Sequence, residues 1–365
     1  MSVPVEVRYD EVFLAHEQPD GAYDLPLRET EVAEPHPDRP ERLVNIERML
    51  RTHLGEHATW PGVEPASRGQ IERVHDPDYL DGIEDLAASG GGRIEATTGV
   101  SPETPEAVRH AAGASIGSAE RALGSDADTV PYALVRPSGH HAQPARADGY
   151  CLVNNVAVAA EHAIATGAAE RVAVVDWDVH PGNGTQECFY DRDDVLFVSL
   201  HNDFGSWGPA HPQTSRLDER GTGDGEGYTV NVPLPPGTGN DGYALAFDRV
   251  VEPVVRAFDP DLLLVSAGQD GSQMDPNGSN VLTMGGFRGM GKRVRALADG
   301  NLALVQEGGY SVSHLAYCTL GAIEGAIGVE SGVRDRYDLL EECNPATGDW
   351  IDDAVAAYEA FWPVG

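Results

Sequence analysis

Asp176, Asp178 and His180 stand at alternate positions after the apolar run Val172-Ala173-Val174-Val175, just ahead of the glycine-rich turn Pro181-Gly182-Asn183-Gly184-Thr185-Gln186. Successive side chains of an extended segment point to opposite sides, so residues two apart converge wherever that geometry lasts. Two ionised carboxylates beside an imidazole repel each other unless a cation sits among them. Oxygen and imidazole donors suit a borderline divalent metal such as zinc. Taken alone, the triplet is also compatible with a cluster of solvated acids at a loop end.

A catalytic zinc keeps three protein ligands and an open position for water, whose pKa it lowers to about 7. Asp178 and His180 provide two ligands, and Asp270, at the end of a distant apolar run, provides the third. An Asp-His-Asp site also accommodates iron or cobalt. The adjacent His140 and His141 are suited to take and return a proton, because imidazole titrates near neutral pH; a structural or solvated pair is the alternative. Each histidine needs an orienting partner. Asp176 and Asn183 are the candidates, the carboxylate holding its histidine more cationic and the amide leaving its own freer to exchange protons. Tyr310, after Gly308-Gly309, could donate its hydroxyl to a developing oxyanion. Cys151, beside Gly149-Tyr150, reads as a small buried hydrophobe.

The elements that must carry these groups are short apolar runs: Tyr132–Val135, Val172–Val175, Val195–Leu200, Tyr228–Val232, Leu262–Ala267 and Leu302–Val305. Helix-like stretches separate several of them, notably Glu106–Leu123, Val156–Ala165, Tyr243–Phe258 and Phe287–Ala298. Strands with little alternation, interleaved with helices, predict an α/β fold with a parallel sheet covered on both faces. The proline-rich segment Pro233–Gly239 reads as irregular. No repeat or linker divides the chain, which reads as one domain over residues 1–365. In such sheets sites form beyond the carboxyl ends of the strands. Five of the runs are followed there by the polar residues of interest: Arg136–His141, Asp176–His180, Ser199–His201, Gly268–Asp270 and Gln306–Tyr310. That coincidence predicts one composite site.

Charge sets the chain apart. Its 365 residues carry 59 Asp plus Glu against 25 Lys plus Arg, a formal net charge of −34, and Lys292 is the only lysine. Acid excess with lysine almost absent points to a halophilic protein whose self-repulsion is screened in a very salty cytoplasm. No basic patch for direct nucleic-acid binding is visible, nor a signal-peptide pattern, nor an apolar run long enough to span a membrane. Cys151, Cys188, Cys318 and Cys343 lack C-x-x-C spacing, which fits reduced thiols and a cytoplasmic location.

The segments Arg136-Pro137-Ser138-Gly139-His140-His141-Ala142, Gly149-Tyr150-Cys151-Leu152-Val153-Asn154-Asn155, Asp176 to Gln186, Ser199-Leu200-His201, Val265 to Asp270 and Glu307-Gly308-Gly309-Tyr310 together resemble the zinc-dependent histone deacetylase family. The Pro-x-Gly-His-His form and Gly-Asn-Gly-Thr-Gln resemble its class II, bacterial-type branch. The ordered match runs from about His36 to about Tyr317.

The resemblance implies a single-domain arginase–deacetylase fold with a central eight-stranded parallel sheet, helices on both faces, and the active site at the strand C-terminal ends. It implies hydrolysis of an N-acetyl amide, with acetyl-lysine in proteins as substrate. By motif, Asp178, His180 and Asp270 hold Zn2+, and His141 is the main general base and acid. His140, paired with Asp176, acts electrostatically, Asn183 orients His141, and Tyr310 stabilises the oxyanion. Family branches with histidine in place of Tyr310 are poor acetyl-lysine hydrolases, so this tyrosine implies activity.

The resemblance also implies K+ or Na+ near the metal, at Asp176, Asp178, His180, Ser199 and Leu200, with a second such site around Phe189, Arg192, Val195 and Tyr228. Gly149, Tyr150, Trp207 and Asn277 correspond to the substrate tunnel. Tyr150 stands where phenylalanine is usual and Asn277 where an apolar residue is usual. The rim aspartate of the family has no clear counterpart near Ile94-Glu95-Ala96-Thr97-Thr98, where Glu95 is the candidate substitute.

Three other readings compete. An acetylpolyamine amidohydrolase would use the same chemistry on a linear amine. An arginase-like enzyme would need further carboxylates for two manganese ions. A weak acyl-lysine binding module is disfavoured by Tyr310 and the paired histidines. The partner is then an acetylated protein or acetylated amine, and the sequence is compatible with an oligomer.

Overall fold

The computed structural model describes residues 3–20, 32, 34–124, 129–203, 214–338 and 344–365. Among the described residues there are ten strands: β1 (Val5–Arg8), β2 (Ala58–Thr59), β3 (Gly92–Arg93), β4 (Gly99–Val100), β5 (Val130–Ala133), β6 (Val172–Asp176), β7 (Val195–Asn202), β8 (Thr229–Leu234), β9 (Leu262–Ala267) and β10 (Leu302–Gln306). Eight of them form one sheet in the order β2-β1-β5-β10-β9-β6-β7-β8, and β3 and β4 form a separate antiparallel pair. Every pairing in the large sheet is parallel. Helices cover the faces, and every residue of β5 to β10 is buried, as the near-continuous apolar runs require.

Because all eight strands run one way, their carboxyl ends share one edge. The chain leaves β5, passes through helix Asn155–Ala165 and enters β6, which lies three positions away; β10 and β9 later fill the gap. Five neighbouring strands, β5-β10-β9-β6-β7, thus deliver their trailing loops to one crevice, where ligands of doubly wound sheets bind.

Two sequence expectations are corrected. Pro233 and Leu234 belong to β8, paired with His201 and Asn202. β8 is an edge strand, so the missing N–H of Pro233 costs no ladder bond. The run Tyr243–Phe258 is three pieces, α-helix Asn240–Ala246, π-helix Phe247–Val251 and α-helix Glu252–Phe258. Pro253 cannot donate to the carbonyl of Arg249 four residues back; Gly365 N–H donates to it instead, at 3.1 Å. Among the described residues no helix is long and apolar enough to cross a membrane.

Candidate active site

The strand β6 ends at Asp176, so alternation alone does not align the acidic triplet. Side chains take over. Asp176 Oδ1 accepts the backbone N–H of Asp178 at 3.0 Å, and Asp178 Oδ1 accepts that of His180 at 2.9 Å. These i to i+2 bonds wind the loop so that Trp177 and Val179 point into the core while the polar residues stay together.

Asp178, His180 and Asp270 each offer one ligand atom within 4.8 Å of the others, the single such group of three among the described residues. His180 Nδ1 stands 3.3 Å from Asp178 Oδ1 and 3.1 Å from Asp270 Oδ2. The remaining carboxylate oxygens are held by backbone: Asp178 Oδ2 by Gly308 N–H and Asp270 Oδ1 by Val179 N–H, both at 2.8 Å. Gly308 is required by close approach, since a Cβ there would lie 2.2 Å from Asp270 Oδ2 and 2.6 Å from Asp178 Oδ2. Burial and the charge of Asp178 lift Asp270 to about 7. Burial opposes the charged form of His180, but Asp178 and Asp270 outweigh it and hold it at about 10. Two buried carboxylates that need a proton between them are a donor set in want of a cation, and the O,N,O chemistry fits zinc.

His140 and His141 follow β5, their rings 3.8 Å apart. His140 Nδ1 meets Asp176 Oδ2 at 2.9 Å, and His141 Nδ1 meets Asn183 Oδ1 at 2.8 Å. The pairs behave oppositely. Burial disfavours a charge on His140, but Asp178 and Asp176 prevail and hold it well above the usual imidazole range. Burial and the charges of His140 and His180 push His141 well below it. Because Asn183 presents a carbonyl oxygen, His141 carries its proton on Nδ1 and leaves Nε2 as an acceptor.

Tyr310 is 7% exposed, and burial pushes its hydroxyl well above 10, so it remains a donor. Tyr150 lies edge-on to Tyr310 at 5.6 Å and to His36 at 4.6 Å. Gly149 and Tyr150 both have positive φ, 49° and 71°. A Cβ on Gly149 would come 2.2 Å from the His141 ring, so only glycine fits between that ring and the turn. Asn277 is half-buried and donates its N–H to Asp275 Oδ1 at 2.9 Å. Trp207 lies outside the described residues. The Glu95 carboxylate is turned into its own loop, accepting from Thr97 N–H at 3.0 Å and from the hydroxyls of Thr97 and Thr98 at 2.9 and 3.0 Å.

Ser199 pairs with Asp176 across the β6–β7 ladder, and Leu200 follows it in β7. Val195 begins β7, Phe189 O accepts from Arg192 N–H, and Tyr228 O accepts from Phe197 N–H. The first group thus lies toward the carboxyl ends of β6 and β7, and the second around the start of β7.

Four supporting residues were given no role by the sequence reading. Glu307 Oε2 accepts the N–H groups of Gly139 and His140 at 2.7 and 3.1 Å, holding the histidine loop from below, and burial lifts it to about 7. Arg42 donates to the carbonyls of Glu307 and Gly309 at 2.6 and 2.5 Å and lies over the Tyr310 ring. Asp275 accepts the N–H groups of Tyr310 and Ser311. Asp148 accepts from the Asn183 amide at 2.9 Å. Among 59 acids none of these carboxylates carries a spacing signature; Glu307 alone was flagged by its place in a motif.

Residues 36–326 match the model of the histone deacetylase domain. The chain is 42% identical to "Histone deacetylase 8" of Arabidopsis thaliana, over 98% of this chain and 95% of that protein. It is 38% identical to "Histone deacetylase-like amidohydrolase" of Pseudomonas aeruginosa, over 92% and 90% respectively. The crystal structure of the HDA15 HD domain superposes with a TM-score of 0.87 at 33% identity, covering 100% of this chain and 96% of that one. The sheet is that of an arginase–deacetylase fold, and the relatives are deacetylases and amidohydrolases. With its metal-capable trio and histidine pair inside the matched segment, the chain belongs to the histone deacetylase family and is a hydrolase that carries out deacetylation.

Proposed function

We propose that this hydrolase, acting as one domain over residues 1–365, removes the acetyl group from acetyl-lysine in proteins, using zinc held by Asp178, His180 and Asp270. The observation that carries the reading is the junction of that trio with His141, whose ring lies 6.0 Å from that of His180 and whose Nδ1 is held by Asn183 Oδ1. Zinc would supply Lewis-acid polarisation of the amide carbonyl and activation of water.

The chain's own residues do the rest. His141 Nε2 takes a proton from the attacking water and returns it to the departing amine. His140, held charged beside Asp176, contributes its field without exchanging the proton. The Tyr310 hydroxyl donates to the oxygen on which negative charge develops. Gly149, Tyr150 and Asn277 line the path of the acyl-lysine stem, and Glu95 belongs to its rim; Trp207, the fourth residue assigned to that path, lies outside the described residues. Potassium or sodium would sit beside Asp176, Asp178, His180, Ser199 and Leu200, and around Phe189, Arg192, Val195 and Tyr228.

The name of the Arabidopsis relative supports a protein substrate. A single metal-capable group among the described residues, with Asp176 already engaged by His140, supports one metal over two. The test is hydrolysis of an acetyl-lysine peptide and of an acetylated polyamine, in high salt, by metal-stripped protein with zinc restored. Zinc-dependent turnover favouring the peptide is expected. Preference for the polyamine would move the function to amine metabolism with the chemistry unchanged. No turnover of either would overturn the reading.

A further inference from the structure

We propose that Asp148 is a positioning residue that sets the tautomer of His141 by fixing which end of the Asn183 amide faces it. The inference rests on the hydrolytic reading above.

An asparagine amide has a donor end and an acceptor end of nearly equal shape, so something must choose between them. Here Asp148 chooses. Its carboxylate is 4% exposed, and Oδ2 accepts from Asn183 Nδ2 at 2.9 Å. With its NH2 group spent there, Asn183 turns its carbonyl oxygen to His141 Nδ1. A carbonyl only accepts, so the proton of neutral His141 must lie on Nδ1. Were the amide reversed, the NH2 group would face Nδ1 and force the proton onto Nε2, where the imidazole cannot act as a base.

The same logic extends outward. Gln143 Nε2 donates to the same Asp148 oxygen at 3.2 Å, and Gln143 Oε1 accepts from Arg146 Nη2 at 2.7 Å. The donor and acceptor ends of both amides are thus set by charged groups, which make the stronger hydrogen bonds. The backbone of Asp148 also exchanges hydrogen bonds with Cys151, at 2.7 and 3.2 Å. Between them, Gly149 and Tyr150 with positive φ make a two-residue turn of type I′, the turn that supplies the tunnel wall against His141. One residue therefore ties the substrate wall to the state of the base. A buried carboxylate is costly unless well satisfied, and this one is satisfied by the two amides it orients.

The test uses the full chain in high salt, first establishing that the unaltered protein hydrolyses an acetyl-lysine peptide. Asp148→Ala is expected to lower kcat roughly 10- to 100-fold, with a smaller change in KM, as for outer partners of catalytic groups. Asp148→Asn keeps an acceptor for both amides and should retain most of kcat. The decisive variant is Asp148→Ala with Asn183→Asp. A carboxylate at 183 accepts from His141 whichever way it turns, so the double variant should recover activity above Asp148→Ala. Asn183→Asp alone sets two carboxylates together and should be impaired.

Nitrogen NMR of the His141 ring in metal-stripped protein reads the tautomer without turnover. The unaltered protein should show Nδ1–H only, and Asp148→Ala a mixture. Unchanged kcat and tautomer in Asp148→Ala, or no recovery in the double variant, would overturn the inference while leaving the hydrolytic reading intact. Should Asp148→Ala not fold, Asn183→Asp with Asp148→Asn replaces it, and must exceed Asn183→Asp alone. If the unaltered chain turns nothing over, the tautomer measurement still decides this inference.

Discussion

The backbone N–H of Tyr310 donates to the buried carboxylate of Asp275 at 2.6 Å, which ties the loop after β10 to the loop after β9 that carries Asp270. The loop that carries Tyr310 and the loop that carries Asp270 are therefore fastened to each other rather than held independently. Tyr310→Phe removes only the hydroxyl and leaves this tie in place. We expect kcat to fall by about 10²- to 10³-fold, the usual cost of one oxyanion donor, with KM little changed. Unchanged turnover would remove Tyr310 from the mechanism and favour a binding module.

Metal dependence follows from the trio. Two carboxylates packed against one imidazole, with glycine backbone on Asp178, repel each other when no cation is present. Chelation is expected to abolish turnover and lower Tm, and added zinc to restore both, since a ligand bound by the native state stabilises it by mass action. Asp270→Asn should weaken zinc retention, measured by metal analysis after dialysis. Full activity after exhaustive chelation would refute the assignment.

Much of this arrangement is legible in the chain before folding is considered. Leu262–Ala267 forms its strand residue for residue, because a fully buried parallel strand must be apolar on both faces. The grouping of Asp178, His180 and Asp270 was readable from their places after apolar runs. The reason they converge was not, since alternation stops at Asp176 and hydrogen bonds from Asp176 and Asp178 finish the work. Strand β1 alternates, with Val5 and Val7 buried beside Glu6 and Arg8, and its brevity hid it; β2 is only two residues long. Asp148, Asp275 and Arg42 were invisible because their roles depend on partners more than 30 residues away in sequence.

Acid should destabilise the fold through histidines that are buried neutral. His75 donates from Nδ1 to Gln143 O at 3.1 Å and accepts at Nε2 from Asn154 N–H at 2.8 Å, so a second proton would face a donor. Burial lowers it to about 4, from an ordinary 6.5. Below 6.5 the unfolded chain binds the proton that the native state refuses, so stability is fully present above about 6.5 and falls toward 4. At pH 5 the loss from this one group is about 2 kcal/mol. His201, lowered by burial to about 4, and His16, lowered to about 3, act in the same direction. Urea unfolding at pH 7.5 and pH 5 in high salt should show the drop, and His75→Gln should reduce it. An equal drop in His75→Gln would assign the acid sensitivity elsewhere.

Salt should act in the opposite sense, as a stabiliser. At a formal net charge of −34, with 25 cationic side chains to offset 59 acids, the compact state concentrates like charge that the unfolded chain spreads out. Several arginines are already shared among acids: Arg68 alone meets Glu72, Asp81 and Glu84, and Arg293 meets Asp248 and Glu252. Even one cation to each acid would leave most of the 59 acids unneutralised by 25 cations, and that repulsion must be screened by solvent ions. The Debye length shrinks from about 10 Å at 0.1 M to about 3 Å at 1 M, so most of the gain should come below 1 M if screening is the cause. We expect Tm to rise steeply over that range in KCl and NaCl alike, with sucrose giving no comparable rise at low ionic strength. A Tm that is the same at 0.1 M and 3 M would show that the acidic surface imposes no salt requirement.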